Sequence, residues 1–164
     1  MTGIDVEKAT LHEFLAYQRA SVRAIISGLS DDVLRTPVLP SGWTPLGLVE
    51  HLAHAEGHWF QEVTTGLAQV LPWPGGDCPP LTTPRSSAVV LEFYREQCAL
   101  SDKFITATSL ATEPFGRHHD EPLASQTTDL RRIILHMIEE TARHAGHLDA
   151  ARELIDGRTG LGPR

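Results

Sequence analysis

Glu140, His144 and His147 lie in a segment, 130–155, that otherwise reads as a long helix with one dry face. At about 100° per residue, Glu140 and His144 fall about 40° apart, on the face that carries Ile133, Met137, Leu148, Ala151 and Ile155. A carboxylate is rarely buried without a partner, and an imidazole one turn away points to a shared metal ion. His147, three residues after His144, reads as a fourth ligand or as a base behind the ligands.

The facing half of such a site has to come from another helix. In the segment 43–60 the apolar arc is set by Leu48, Leu52, Ala55, Glu56 and Trp59, and continues to Val63, with His51 at its edge. His54 and His58 are rotated away from the arc and are expected at the rim or on the surface. Bundles build metal sites from side chains on facing helices, so His51 opposite Glu140 and His144 meets that requirement. Two imidazoles and a carboxylate with open positions suit zinc, nickel, iron or cobalt rather than calcium.

Other reactive side chains carry less. His118 and His119 stand in a polar loop with Asp120 and Glu121 and read as exposed. Cys98 reads as a small core residue and Cys78 as a loop thiol, with no neighbouring sequence that would activate either. No nucleophile-elbow sequence supports serine chemistry. Arg131, Arg132 and Arg143 read as solvated helix surface before they read as an anion site.

The elements that position these residues follow from periodicity and its breakers. Helix one is expected from about Val6 to Leu29, with Leu11, Phe14, Leu15, Val22, Ile25, Ile26 and Leu29 on one side. A capped turn follows at Ser30–Leu34, and Thr44 before Pro45 opens helix two, expected to reach about Ala68. The stretch Pro72 to Pro84 is too rich in proline and glycine for regular structure, and Trp73 within it could cover a site. Helix three is expected at about Ser87 to Leu110, with Val90, Phe93, Tyr94, Cys98, Phe104 and Ile105 as core candidates. An irregular stretch from Ala111 to about Ser125 then leads to helix four at about Thr128 to Ile155, and 157–164 reads as a frayed tail.

The chain has 164 residues, of which 41% are hydrophobic and 6% aromatic. That suffices for one complete core and is short for two, so 1–164 is expected to form one domain, an all-α four-helix bundle. A formal net charge of -7 argues against a nucleic-acid surface and directs attention to small molecules or another subunit as partners. Of nine histidines, all but His12 fall in the segments His51 to His58 and His118 to His147, which adds to the metal reading. Two cysteines form neither a CxxC pair nor a disulfide framework, and no signal peptide or membrane-length apolar run is evident. The expectation is a cytoplasmic protein without membrane or nucleic-acid partners.

Two strings resemble the DinB-like superfamily of metal-binding four-helix bundles, in its actinobacterial branch. They are Leu48-Val-Glu-His-Leu-Ala-His-Ala-Glu56 with Trp59-Phe60, and Ile138-Glu-Glu-Thr-Ala-Arg-His-Ala-Gly-His-Leu-Asp149 with Arg152-Glu-Leu-Ile-Asp-Gly157. The resemblance implies an up-down-down-up bundle with the metal on His51, Glu140 and His144. Many relatives carry histidine where this chain has Glu140, whereas the mycothiol-dependent maleylpyruvate isomerases are similar to it in having glutamate there. Relatives of known activity hold a low-molecular-weight thiol on the ion, mycothiol or bacillithiol.

Three functions follow as expectations. The first is a mycothiol-dependent transferase or isomerase acting on a small electrophile, with zinc or nickel as the ion and mycothiol as cosubstrate. Here His147 or Glu50 would move protons. The second is a metal-hydroxide hydrolase, and the third a non-catalytic metal- or ligand-binding protein of stress responses. By the same resemblance, a homodimer is expected.

Overall fold

The computed structural model describes residues 3–67 and 81–162. Trp73 and Cys78 lie outside them. Helix α1 spans Gly3–Ile26, α2 Asp31–Leu34 and α3 Pro45–Gly57, and α3 runs on into a π-helical segment, His58–Val63. Then come α4, Ser87–Ala107, α5, Glu121–Gln126, and α6, Leu130–Asp156, with no strand among the described residues.

Cross-helix pairs fix the direction of each long helix. Glu7 meets Arg131 at 2.6 Å and Arg152 donates to the Ile25 carbonyl at 2.6 Å, so α1 and α6 run parallel. Glu50 meets Arg85 at 3.3 Å, just before α4, and Gln61 donates to Gln97 at 2.8 Å, so α3 and α4 are parallel too. His12 contacts Asp102 at 2.7 Å, and Trp59 packs on His136 where His51 reaches Glu140, which sets the α1–α4 and α3–α6 pairs antiparallel. The order is therefore up-down-down-up, as expected of the bundle, and the parallel step from α3 to α4 coincides with the long proline-rich connection.

Local chemistry explains the helix ends. The Thr44 hydroxyl accepts the Gly47 amide at 3.0 Å, with Pro45 at the first helical position where its missing N–H is no loss. Asp129 accepts from the Arg132 amide at 2.9 Å and opens α6, while Gly157, at φ 75°, ends it in the left-handed region that glycine enters without penalty. Gly47 is needed for a different reason. A Cβ there would stand 2.2 Å from the Leu81 carbonyl oxygen, so the first turn of α3 lies directly on that backbone.

Two apolar clusters fill the bundle. One gathers Val22, Ile25, Leu46, Val49, Leu52, Val90, Tyr94 and Leu148, and the other Leu15, Trp59, Phe60, Ile105, Ile133, Ile134 and Met137. Buried polar groups sit between the cluster members along the helices: Arg19 between Leu15 and Val22, Ser101 between Cys98 and Ile105, and Thr141 with His144 between Met137 and Leu148.

Several expectations change. Helix one ends at Ile26, and Phe14 is 53% exposed because the buried stripe is Leu15, Arg19, Val22 and Ile26, about 100° away. Residues Glu121–Gln126, expected to be irregular, form α5 with Asp120 as its cap. The tail is less frayed than expected: Leu161 packs on the first cluster and Gly162 lies against Ser21 of α1.

Candidate metal centre

Glu140 and His144 stand one helical turn apart on α6, and His51 faces them from α3. His51 Nε2 lies 3.1 Å and His144 Nε2 3.0 Å from the same carboxylate oxygen, Oε1 of Glu140. The three ligand-type atoms all fall within 4.8 Å of one another. His144 is buried, while the side chains of His51 and Glu140 keep 19% and 24% of their exposure. Burial alone would raise the Glu140 carboxyl. Hydrogen bonds from His144 and His51 outweigh it and hold the group well below the usual carboxylate range.

The donor set and its spacing fit a divalent ion of the zinc or nickel kind. Nitrogen and oxygen ligands stand about 2.0–2.2 Å from such an ion, so two ligands of one ion would lie about 3–3.5 Å apart, close to the observed nitrogen-to-oxygen separations. His144 Nδ1 is buried and has no hydrogen-bond partner among the described residues. Trp43 packs at 5.6 Å from the His144 ring and holds its orientation instead.

His147 is not part of this group. Its ring meets Trp43 edge-on at 5.1 Å and lies 5.6 Å from that of His144. Burial, with the neighbouring His144 and Arg143 charges, lowers its affinity for a proton. Glu50 is also set apart, buried against Arg85 at 3.3 Å, and neither residue lines the cavity in front of Glu140.

That cavity, of about 670 Å³, runs from His51 and Glu140 past Ala55, Trp59 and Leu123 to His58, His118 and His119. Its far end departs from the sequence reading in two ways. His58, expected near the surface, lines the cavity, because seven residues after His51 it comes back to within about 20° of the same helix face. Gly116 lies close on the Glu62 carbonyl and donates to the Val63 carbonyl at 2.9 Å, which docks the following loop here. His118, expected to be exposed, stacks on Trp59 with 4.8 Å between centroids and 3° between planes. The sequence signal for this end was the His118-His119 pair itself, but nothing local tied it to His58.

His54 is a further correction. Expected at the rim, it is 4% exposed, with its ring 5.0 Å from Phe93 of α4. Burial, then the nearby Arg85 and His51 charges, pushes its pKa down to about 4. The reason is the parallel α3–α4 pairing, which covers a second face of α3. The arc read from spacing included Glu56 without a partner. The structure supplies Arg19, whose Nε and Nη2 grip the two Glu56 oxygens at 2.7 and 2.6 Å.

Comparison with known proteins agrees with this architecture. Residues 10–157 match the mycothiol-S-transferase family. A protein of Geobacillus thermodenitrificans (strain NG80-2), described as a candidate metal-dependent hydrolase, is 38% identical over 52 residues. Those cover 32% of this chain and 29% of the relative's length. The crystal structure of a conserved protein from Enterococcus faecalis superposes with a TM-score of 0.64 at 12% identity, covering 96% of this chain and 99% of that one, which shows a shared fold. With its match extending from α1 through α6, this chain belongs to the mycothiol-S-transferase family, within the metal-binding DinB-like bundles.

Proposed function

We propose that this protein is a metal-dependent thiol transferase or isomerase that uses mycothiol to attack a small electrophile bound in the cavity beside Glu140. The observation that carries this reading is the convergence of His51 Nε2 and His144 Nε2 on one Glu140 oxygen at the end of a 670 Å³ cavity. The ion, zinc or nickel, is held by His51, Glu140 and His144. When bound, it lowers the pKa of a coordinated thiol and so supplies thiolate at neutral pH.

The chain's own residues do the rest. Ala55, Trp59 and Leu123 give the cavity an apolar wall that keeps water from a bound electrophile. His136, against Trp59 at 4.5 Å, lines the same cavity one helical turn before Glu140 and offers a ring nitrogen to the thiol proton. His147 and Glu50 do not take part in this scheme, since neither lines the cavity. A cytoplasmic location belongs to the same reading, because Cys98 is a free thiol and a thiol cosubstrate needs a reducing compartment. A homodimer belongs to the same proposal and rests on the resemblance alone.

Metal analysis of the purified protein beside His51→Ala and His144→Ala, together with thiol-dependent turnover, tests the proposal. Each variant should lose the ion of this site and the turnover with it. Undiminished metal in both would end this reading. A metal-dependent hydrolase is the second reading, favoured by the description of the Geobacillus relative. Turnover of an ester or amide without added thiol would select it.

A further inference from the structure

The far end of the cavity carries a second set of ligand-type side chains that the proposed transfer does not use. His58, His118 and His119 each bring one ring nitrogen to within 4.8 Å of the others. We propose that these three histidines form a second, separate site for a divalent ion of the imidazole-preferring class, such as zinc, nickel or copper(II), at the rim of the cavity.

Three features of the surroundings favour an ion here. Glu62, one turn beyond His58, lies with Oε2 2.6 Å from His58 Nδ1. With Nδ1 donating to that carboxylate, the ring is oriented with Nε2 as its ligand atom, the arrangement found behind metal-bound histidines elsewhere. Second, the loop that bears the other two histidines is held in place by backbone contacts. The Phe115 and Gly116 amides donate to the Thr64 and Val63 carbonyls at 3.2 and 2.9 Å, and Trp59 stacks flat on His118.

Third, the rings are crowded, with His118 5.1 Å from His58 and 4.2 Å from His119. Nitrogens this close together let one small ion meet all three rings. His118 Nδ1 accepts the Asp120 amide at 3.0 Å. Ligation through that nitrogen gives up one exposed hydrogen bond, which water replaces. The Asp120 carboxylate at the cavity wall adds negative charge beside the ion.

The two sites cannot share one ion. His51 and His58 are seven residues apart on a continuous helix, about 10 Å along its axis, whereas paired catalytic metals stand about 3.5–4 Å apart. An ion at the rim would tie the loop 115–120 to the π-helical segment and so fix one wall of the cavity.

Equilibrium dialysis against micromolar zinc and nickel, with metal counted per chain, tests the proposal on the intact protein. The wild type should hold two ions, and His119→Ala and His51→Ala one each. The double variant should hold none. His119 is exposed, so its loss leaves the fold intact, which circular dichroism checks. Unchanged stoichiometry in His119→Ala, or a second ion bound only at millimolar metal, would overturn the proposal. Two ions in His51→Ala but one in His119→Ala would sink the first site and leave the second standing.

Discussion

Glu56 and Glu140 are both carboxylates on the inner side of long helices, and the bundle treats them in opposite ways. Glu56 is 1% exposed, and the Arg19 guanidinium takes both of its oxygens. A third arm of Arg19 reaches Asp102 at 2.6 Å. Burial alone would weaken the Arg19 charge, yet Glu56 and Asp102 hold it protonated above the ordinary guanidinium range. Glu140 is instead partnered by two imidazoles on one oxygen and opens on a cavity. A permanent cation closes a carboxylate off. Titratable nitrogens with lone pairs leave it available for chemistry.

The largest expected effect falls on the closed carboxylate. Arg19→Ala strands Glu56 without a counter-charge in the interior, and loss of one member of a buried pair costs about 3–5 kcal/mol. Urea denaturation should show that loss, while metal content per folded chain stays at the wild-type value. A stability change below about 1 kcal/mol would mean that Glu56 is not held by Arg19 alone. Parallel loss of metal would show that the two carboxylates are one network rather than two.

The contrast between the two carboxylates was only half legible in the sequence. Glu140 and His144 are four residues apart on one helix, so their meeting is a local property that spacing reveals. His51 could be matched to them because it lies at the edge of the apolar arc of its helix, and bundle metal sites draw on facing helices. Glu56 stood in an apolar arc with no partner in view, since Arg19 is 37 positions away on another helix. The periodicity of α1 puts Arg19 on the stripe of Leu15, Val22 and Ile26, but spacing within one helix does not say which residue of another helix it meets. His54 was misplaced because one apolar arc was drawn where α3 has two covered faces. The far end of the cavity was hidden by the close approach of Gly116, which has no periodic signature and brings the His118 loop onto Val63.

His54 offers an intermediate effect, as a histidine on the closed side facing Arg85 rather than a carboxylate. Its proton affinity is depressed in the folded chain to about pKa 4, from 6.5. The unfolded chain therefore binds a proton at this ring at a higher pH than the folded chain does. The stability it contributes is complete above about pH 6.5 and is lost as the pH falls toward 4. Between pH 7 and pH 5 the loss is about 2 kcal/mol from this ring. His54→Leu should flatten the pH dependence of unfolding by that amount, and an unchanged slope would remove His54 as its source.

The smallest effect on stability should come from Glu140, although its loss is the more damaging to function. Glu140→Gln keeps the size and the acceptor oxygen that both imidazoles reach, and it strands no buried charge. The carboxylate is also partly solvated, with 24% of its side chain exposed. Unfolding of the metal-free variant should differ from wild type by less than about 1 kcal/mol, in the range of a partly exposed hydrogen-bonded pair. Affinity for the ion should still fall by tenfold or more, because a neutral amide oxygen replaces the only anionic ligand. Destabilisation comparable to that of Arg19→Ala would show that Glu140 is a structural carboxylate like Glu56. Binding would then be incidental to its place in the core.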